Sequence, residues 1–343
     1  MYNNLAFKKH LTFLGLCTLM MVTLFTLNSC DNKEQIVINE FMASNHSTLS
    51  SQDGELYDWI ELKNVSDKTV ALQGYSLVVE KSTNMQGTDN ANVKTKTWNL
   101  PNIELKAGQC LLIFASKNDK ADLKGEIHAS FKLPSAGGTI KLMNGNNVIS
   151  DVTFEELKDD QCYCRQDDGS YAISYECTPG FDNNEKGHEQ YCSAVEKQRT
   201  GSLRIWELHN KGDKNGEAWV ELKNVGDAPI NLQDYCLTTS MKDMSQWNFP
   251  QVVLQPGEFY VVNGSKDGFK MGKNKSVTLT KNGKFVDGMC AAPAPQGTTA
   301  GRKTGNDGIF YFKVPTRGAE NTTPSSRTID SQDDNSDDDE DDE

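Results

Sequence analysis

Four glutamates stand at matching places in two stretches of the chain: Glu40 and Glu61 in the first, Glu207 and Glu221 in the second. Paired carboxylates do acid and base work when their surroundings split their pKa values. Alternation along the flanking runs argues for a plainer role. Ile60 and Leu62, like Val220 and Leu222, share one apolar face, which puts Trp59 and Glu61 on the other. On that reading the acids cap turns or pair with a cross-strand lysine on a solvated face, since residues kept in two copies of a fold more often serve the fold than a reaction. The histidines, His10, His46, His128, His188 and His209, show no metal-ligand spacing, and His188 with Cys192 lacks a second pair. Cys162-Tyr163-Cys164 is a C-x-C with no close second pair, so neither zinc nor any cofactor is expected. Neither G-x-S-x-G nor H-E-x-x-H occurs, and Gly137-Gly138 lacks the helix and lysine of a phosphate loop. The tightest acid and imidazole group is His188 with Glu185 and Glu189, in a stretch (182–190) that reads as a solvated connector.

Seven cysteines lie beyond Cys30: Cys110, Cys162, Cys164, Cys177, Cys192, Cys236 and Cys290. In an exported protein the group Cys162, Cys164, Cys177 and Cys192 is expected to hold at least one disulfide. An odd count leaves at least one thiol free or intermolecular. Cys236 and Cys290 fit either a bridge across a sandwich or small buried side chains. Trp98 and Trp247 each precede an Asn-x-Pro and are candidate ligand platforms, although a tryptophan beside an apolar residue and a proline more often lids a core.

The elements that must position these residues are repeated. Asp58-Trp59-Ile60-Glu61-Leu62-Lys63-Asn64-Val65-Ser66-Asp67 returns 160 residues later as Ala218-Trp219-Val220-Glu221-Leu222-Lys223-Asn224-Val225-Gly226-Asp227. Leu72-Gln73-Gly74-Tyr75 matches Leu232-Gln233-Asp234-Tyr235, and Trp98-Asn99-Leu100-Pro101 matches Trp247-Asn248-Phe249-Pro250. Short alternating runs predict strands at 36–41, 59–63, 74–79, 111–115, 139–143 and 148–154 in the first copy. The second copy has them at 203–208, 219–223, 235–239, 258–263, 276–280 and 284–288. Asn144-Gly145 and Asn282-Gly283 supply matching hairpin turns. No segment shows a sustained helical stripe, so helices should be scarce.

These residues resemble a bacterial lamin-tail domain. The first copy carries Ile36-Val37-Ile38-Asn39-Glu40-Phe41, Asp58-Trp59-Ile60-Glu61-Leu62-Lys63-Asn64, Gly137-Gly138-Thr139-Ile140-Lys141-Leu142 and the closing Thr178-Pro179-Gly180-Phe181-Asp182-Asn183. The second has Trp219-Val220-Glu221-Leu222-Lys223-Asn224, Leu254-Gln255-Pro256-Gly257 and Pro315-Thr316-Arg317-Gly318-Ala319-Glu320-Asn321. It departs at Ile205-Trp206-Glu207, where the family has Ile-Asn-Glu. The resemblance implies an all-β chain of two tandem immunoglobulin-like β-sandwich domains, 35–193 and 201–322, acting as non-catalytic tethers or interaction modules.

Residues 1–29 read as a signal peptide: Lys8, Lys9 and His10 precede an apolar run from Leu11 to Leu27. Leu27-Asn28-Ser29-Cys30 is similar to a bacterial lipobox, with Cys30 the lipidated residue. An exported lipoprotein is expected, at the outer membrane or cell surface rather than the inner membrane. Residues 323–343 read as a disordered acidic tail, since Asp330 to Glu343 carries ten acidic residues and no basic one. The net charge of −13 is mostly this tail. Residues 30–329 carry 33 Lys and Arg against 38 Asp and Glu, which argues against binding nucleic acid. The expected function is a non-catalytic, membrane-anchored display of two modules to an unknown protein or glycan. The competing expectation is an exported hydrolase or nuclease, or an accessory subunit of one, with a site in the irregular stretches 83–96 or 182–190.

Overall fold

The computed structural model describes residues 35–81, 93–122, 125–199, 201–210, 217–240, 243, 245–272 and 275–326. The signal segment, Cys30 and the acidic run Asp330 to Glu343 lie outside the described residues. Among the described residues no helix is long and apolar enough to cross a membrane.

Each copy is a sandwich of two sheets, antiparallel except where Phe114 pairs in parallel with His128 at the edge of the first. In the first, Tyr171–Ser174, Cys162–Arg165, Ile36–Met42, Trp59–Asn64 and Cys110–Phe114 lie side by side, with two short strands beyond. The facing sheet runs Asn147–Phe154, Gly138–Asn144, Tyr75–Lys81, Lys94–Asn99. In the second copy, Phe259–Val262, Trp219–Asn224, Leu203–His209, Thr299–Lys303, Asn306–Phe312 and Ser325–Ser326 face Trp247–Asn248, Tyr235–Thr238, Val277–Lys281 and Lys284–Met289. All twelve predicted strands are present. The stretch assigned to a tail from residue 323 still pairs at Ser325 and Ser326 with Phe312 and Tyr311.

Side chains from both sheets interdigitate in each core. Ile38, Phe41, Ile60, Leu62, Leu77, Ile113, Ile140 and Phe154 are buried together in the first copy. Ile205, Leu208, Val220, Leu222, Leu237, Val262 and Leu279 fill the second. Burying such a side chain contributes about 1.5–3 kcal/mol. The turns differ more than expected. Asn282 and Gly283 both have positive φ, 52° and 73°. In the first copy Asn144 ends the strand, opposite Asn147, and only Gly145 takes positive φ, at 57°.

One feature departs from the sequence reading and another was left open by it. A 14-residue helix, Glu185–Gln198, occupies the stretch expected to be a solvated connector and crosses the assigned domain limit at 193. Asn184 caps it by accepting from Gly187 N, Glu185 sits in the first turn and Lys197 in the last, as the helix dipole favours. A Cβ at Gly187 would lie 1.8 Å from Asp182 O, so glycine allows the helix to start against the preceding loop.

The two copies also meet, within one compact unit of the chain. Asp160 is the centre of the seam: it accepts from His46 N (2.8 Å), Ser47 N (2.9 Å), Ser47 Oγ (2.6 Å) and, across the seam, Ser276 Oγ. Thr278 Oγ1 donates to His46 O (2.6 Å), and Phe285 N to Gly54 O (3.0 Å). A Cβ on Gly288 would come within 2.4 Å of Ser47 Cβ, so this approach needs glycine. Arg199, at the end of the helix, pairs with the buried Asp287 of the second copy.

Candidate functional site

The four glutamates come together by a local irregularity. Ile38 and Phe41 are three residues apart, so a regular strand would send them to opposite faces. The pairing with Trp59–Asn64 shifts between Ile38 and Glu40, leaving Asn39 as an extra residue. This bulge returns both apolar side chains to the core and sets Glu40 directly opposite Glu61. The second copy repeats it: the shift falls between Ile205 and Glu207, Trp206 is the extra residue, and Glu207 opposes Glu221.

The expected solvated face does not exist. Glu40, Glu61, Glu207 and Glu221 are all fully buried, as is Trp59. What covers them is each copy's closing loop. Thr178 N donates to both Glu40 oxygens (3.0 and 3.1 Å), Thr178 Oγ1 to Glu40 Oε2 (2.9 Å), and Gly180 N to Glu61 Oε2. In the second copy Thr316 N donates to both Glu207 oxygens (3.2 Å each), Thr316 Oγ1 to Glu207 Oε2 (3.0 Å), and Gly318 N to Glu221 Oε2. An asparagine locks each loop. Asn183 Nδ2 donates to Asn39 O and Arg165 O (2.9 Å each), and Asn321 Nδ2 to Trp206 O (3.2 Å) and Arg302 O (2.8 Å). Lys63 then pairs with Asp182 (2.6 Å), and Lys223 with Glu320. This clasp is a backbone fastening, with acids as its acceptors.

Burial dominates the electrostatics. It pushes the Glu40 carboxyl up to about 7, helped by the facing Glu61, against the lowering effect of the Thr178 donors. Burial likewise raises Glu61 and Glu207, and takes Glu221 to about 8. Glu221 has a distinct cause for strain: its Oε1 has no hydrogen-bond partner, whereas Glu61 Oε1 accepts from Asn39 Nδ2 at 2.7 Å. Trp206 stands where Asn39 would donate. Its own Nε1 is unpartnered, and its ring lies 4.2 Å from Lys223 Nζ in a groove of about 410 Å³ with Arg204, Arg302 and Lys303. Three of those charges are already answered, Arg204 by Glu196 (3.1 Å), Arg302 by Asp287 (2.9 Å) and Lys223 by Glu320, while Lys303 lies over the Phe310 ring (4.9 Å).

The cysteines gather on the outer face of the first copy. Cys162, Cys164 and Cys177 are buried with Met42, Trp59, Phe114 and Tyr191 in a second apolar layer beneath the helix. All seven described cysteines are thiols, and the bridge expected among Cys162, Cys164, Cys177 and Cys192 is not made. Cys162 Sγ and Cys164 Sγ lie 3.3 Å apart. They are alternate residues of one strand, whose Cα atoms stand about 6.6–6.8 Å apart, at the limit of disulfide geometry. Cys236 Sγ donates to Asn248 Oδ1 (3.1 Å), and Cys290 lies beside the seam.

His188 is drawn into the helix interface rather than exposed on a linker. Its Nδ1 lies 2.8 Å from Cys177 O and its Nε2 3.4 Å from Cys192 Sγ. Glu185 and Glu189 point away, exposed. A cavity of about 100 Å³ opens beside this pair, bordered by Tyr191, Arg199, Cys290 and Arg302. That volume suits a few waters. Neither tryptophan platform is free. Trp98 is buried in the core and donates from Nε1 to Asp119 Oδ1 (2.8 Å), while half-buried Trp247 donates to Asp267 O (2.9 Å) and packs on Phe249 and Phe269. The sequence reading missed the clasp because a break in alternation shows neither which residue is extra nor what covers the acids. Its one visible sign was the pair of Thr-x-Gly-x-x-Asn loops. The helix was signalled by Asn184 followed by Tyr191, Cys192 and Val195, too short a stripe to stand out.

No curated protein matches the chain. Among solved structures, the exo-chitosanase CsxA of Amycolatopsis orientalis is similar at 15% identity and a TM-score of 0.18, over 71% of this chain and 26% of that one. A variant of that enzyme in complex with PNP-beta-D-glucosamine gives 16% identity, a TM-score of 0.18, and coverage of 68% and 25%. This chain thus spans about a quarter of those chains, and scores so low describe no shared overall arrangement. The Lamin Tail Domain family matches residues 31–156 and 196–297, the two stretches that hold the paired glutamates and their bulged strands. With two tandem immunoglobulin-like sandwiches and both segments matched, this chain belongs to the lamin tail domain family.

Proposed function

We propose that this protein is a non-catalytic, lipid-anchored exported protein that presents its two lamin-tail modules to a protein or glycan partner. The observation that carries this reading is the use of the four buried glutamates. In each copy they accept from the closing loop's backbone, and a carboxyl so engaged is not open to a substrate. The polar seam, centred on Asp160, supports presentation of both modules as one body. Cys30 supplies the anchor through its lipobox-like setting, which supports export and membrane attachment, and surface display is the part of the proposal that the protease test decides.

The test is protease accessibility on intact cells, comparing the wild type with Cys30→Ala. External protease should remove both modules from wild-type cells, and the variant should leave the membrane fraction. Modules protected until the outer membrane is opened would sink surface display and leave a periplasmic scaffold.

A second reading, an exported hydrolase, rests on one geometry: Cys192 Sγ against His188 Nε2, with His188 Nδ1 held by Cys177 O. That arrangement resembles a base-activated thiol. Its cavity is far smaller than the few hundred Å³ of ordinary ligand sites. Selective alkylation of Cys192 at neutral pH, abolished in His188→Ala, would favour it over the tether.

A further inference from the structure

The outer layer of the first copy holds a donor set that the fold does not require. Glu40 pairs in register with Cys164, and Met42 with Cys162, so both thiols rise from one strand on the face that carries the clasp. Sγ of Cys162 and Sγ of Cys164 are 3.3 Å apart, and Cys164 Sγ lies 3.4 Å from Glu40 Oε1. One ligand atom from each of the three residues lies within 4.8 Å of the others, and all three residues are buried. In the second copy the same register places Gly301 opposite Glu207, and two residues earlier Thr299, whose Oγ1 donates to Glu207 Oε1. A hydroxyl and a glycine therefore complete the same clasp without sulfur.

We propose that Cys162 Sγ, Cys164 Sγ and a carboxylate oxygen of Glu40 form a buried site for a thiophilic divalent cation, zinc by preference. Side chains two apart on a strand project in parallel, which strains a disulfide but suits chelation of one ion. Tetrahedral Zn–S bonds of about 2.3 Å set the sulfurs roughly 3.8 Å apart, so the pair needs to open by about half an ångström. Cys177, buried in the same layer and adjoining Thr178, is the remaining donor at hand. Binding releases the two thiol protons and any proton on Glu40, and the two thiolates with the carboxylate leave the occupied site at a net charge of about −1. Glu40 keeps its Thr178 bonds on the other oxygen. A site this enclosed fills while the chain folds, as closed structural zinc sites do.

The experiment refolds the full chain in detergent and reductant with one equivalent of Zn²⁺ or Co²⁺, then washes with a chelator. The wild type should retain about one zinc per chain, and its cobalt form should show thiolate-to-metal charge transfer with the strong visible bands of a tetrahedral site. The variant Cys162→Thr/Cys164→Gly, which installs the second copy's own residues, should fold and hold no metal. Cys236→Ser/Cys290→Ser should hold as much as the wild type. No retained metal in the wild type, or equal retention in the Thr/Gly variant, overturns the site. Should that variant fail to fold, Cys162→Ser and Cys164→Ser decide: lost thiolate absorption in both supports the site, and unchanged absorption refutes it.

Discussion

The two copies fasten the same loop with the same acids and differ in what surrounds the fastening. Around Glu40 and Glu61 the first copy places Asn39, two thiols, and an apolar layer roofed by the helix. Around Glu207 and Glu221 the second places Trp206, Thr299 and Gly301, and leaves a groove. The shared parts are those that satisfy buried donors and acceptors, where a missing partner is costly. The variable parts are those a sandwich tolerates in several forms. Comparing the copies thus separates what closes the fold from what each module adds.

The largest test of the shared part is to remove each lock. Asn183→Ala and Asn321→Ala each strip two donations to buried backbone carbonyls. Each should lose about 2–3 kcal/mol in chemical denaturation. Losses differing by more than the lock's own size would break the equivalence of the two clasps.

Next in size is the seam. Asp160→Ala removes an acceptor serving four donors, three in its own copy and one, Ser276 Oγ, in the other. It should cost about 2 kcal/mol, and calorimetry should resolve two transitions where the wild type shows one. Asp160→Asn, suited to the positive φ of 59° at this position, should be milder. A single unchanged transition in Asp160→Ala would mean that other contacts couple the copies.

The acids themselves should respond unequally. Glu221 takes up a proton more readily when folded, its carboxyl rising from the ordinary 4.5 to about 8. The folded state therefore holds more protons in that window, and its stability falls as pH climbs through it, with the loss complete above about 8. Glu221→Gln removes this dependence and gives the orphaned Oε1 position a neutral amide. It should gain about 1 kcal/mol at pH 8 and little at pH 5. Glu61→Gln gains nothing comparable, because Glu61 Oε1 already accepts from Asn39. Melting curves at both pH values check the pair, and equal behaviour would remove Trp206 as the cause of the difference.

The smallest effect belongs to the outer ion pairs. Lys63→Met releases the exposed Asp182 and should cost under about 1 kcal/mol. Lys223→Met should cost more, since the Lys223 side chain is only 9% exposed and also lies over the Trp206 ring. A reversed order, measured by urea denaturation, would say that the groove around Trp206 leaves Lys223 solvated.

Period-two patterning along Trp59 to Lys63 and Trp219 to Lys223 correctly gave the core face, Ile60 and Leu62 or Val220 and Leu222, because apolar burial is written in side-chain type. The same pattern misjudged Trp59 and Glu61. Whether the second face of a strand meets water depends on what the chain later lays across it, here Thr178 to Asn183, more than a hundred residues on. The helix Glu185–Gln198 was hidden for a related reason: its stripe is two turns long, and its buried Tyr191 rests on the outer apolar layer of the first copy rather than in either sandwich core.

The amino-acid sequence by itself determined the repeat, the strands, the all-β class and the pairing of acids between copies, since these rest on local periodicity and direct self-similarity; the choice of sandwich followed from the family resemblance. Only the tertiary structure decided that those acids are buried acceptors for a closing loop, that Cys162 and Cys164 face Glu40, and that the copies meet at Asp160. Each of these depends on a bulge, a register or a contact across more than a hundred residues, and such relations arise from closing the chain upon itself.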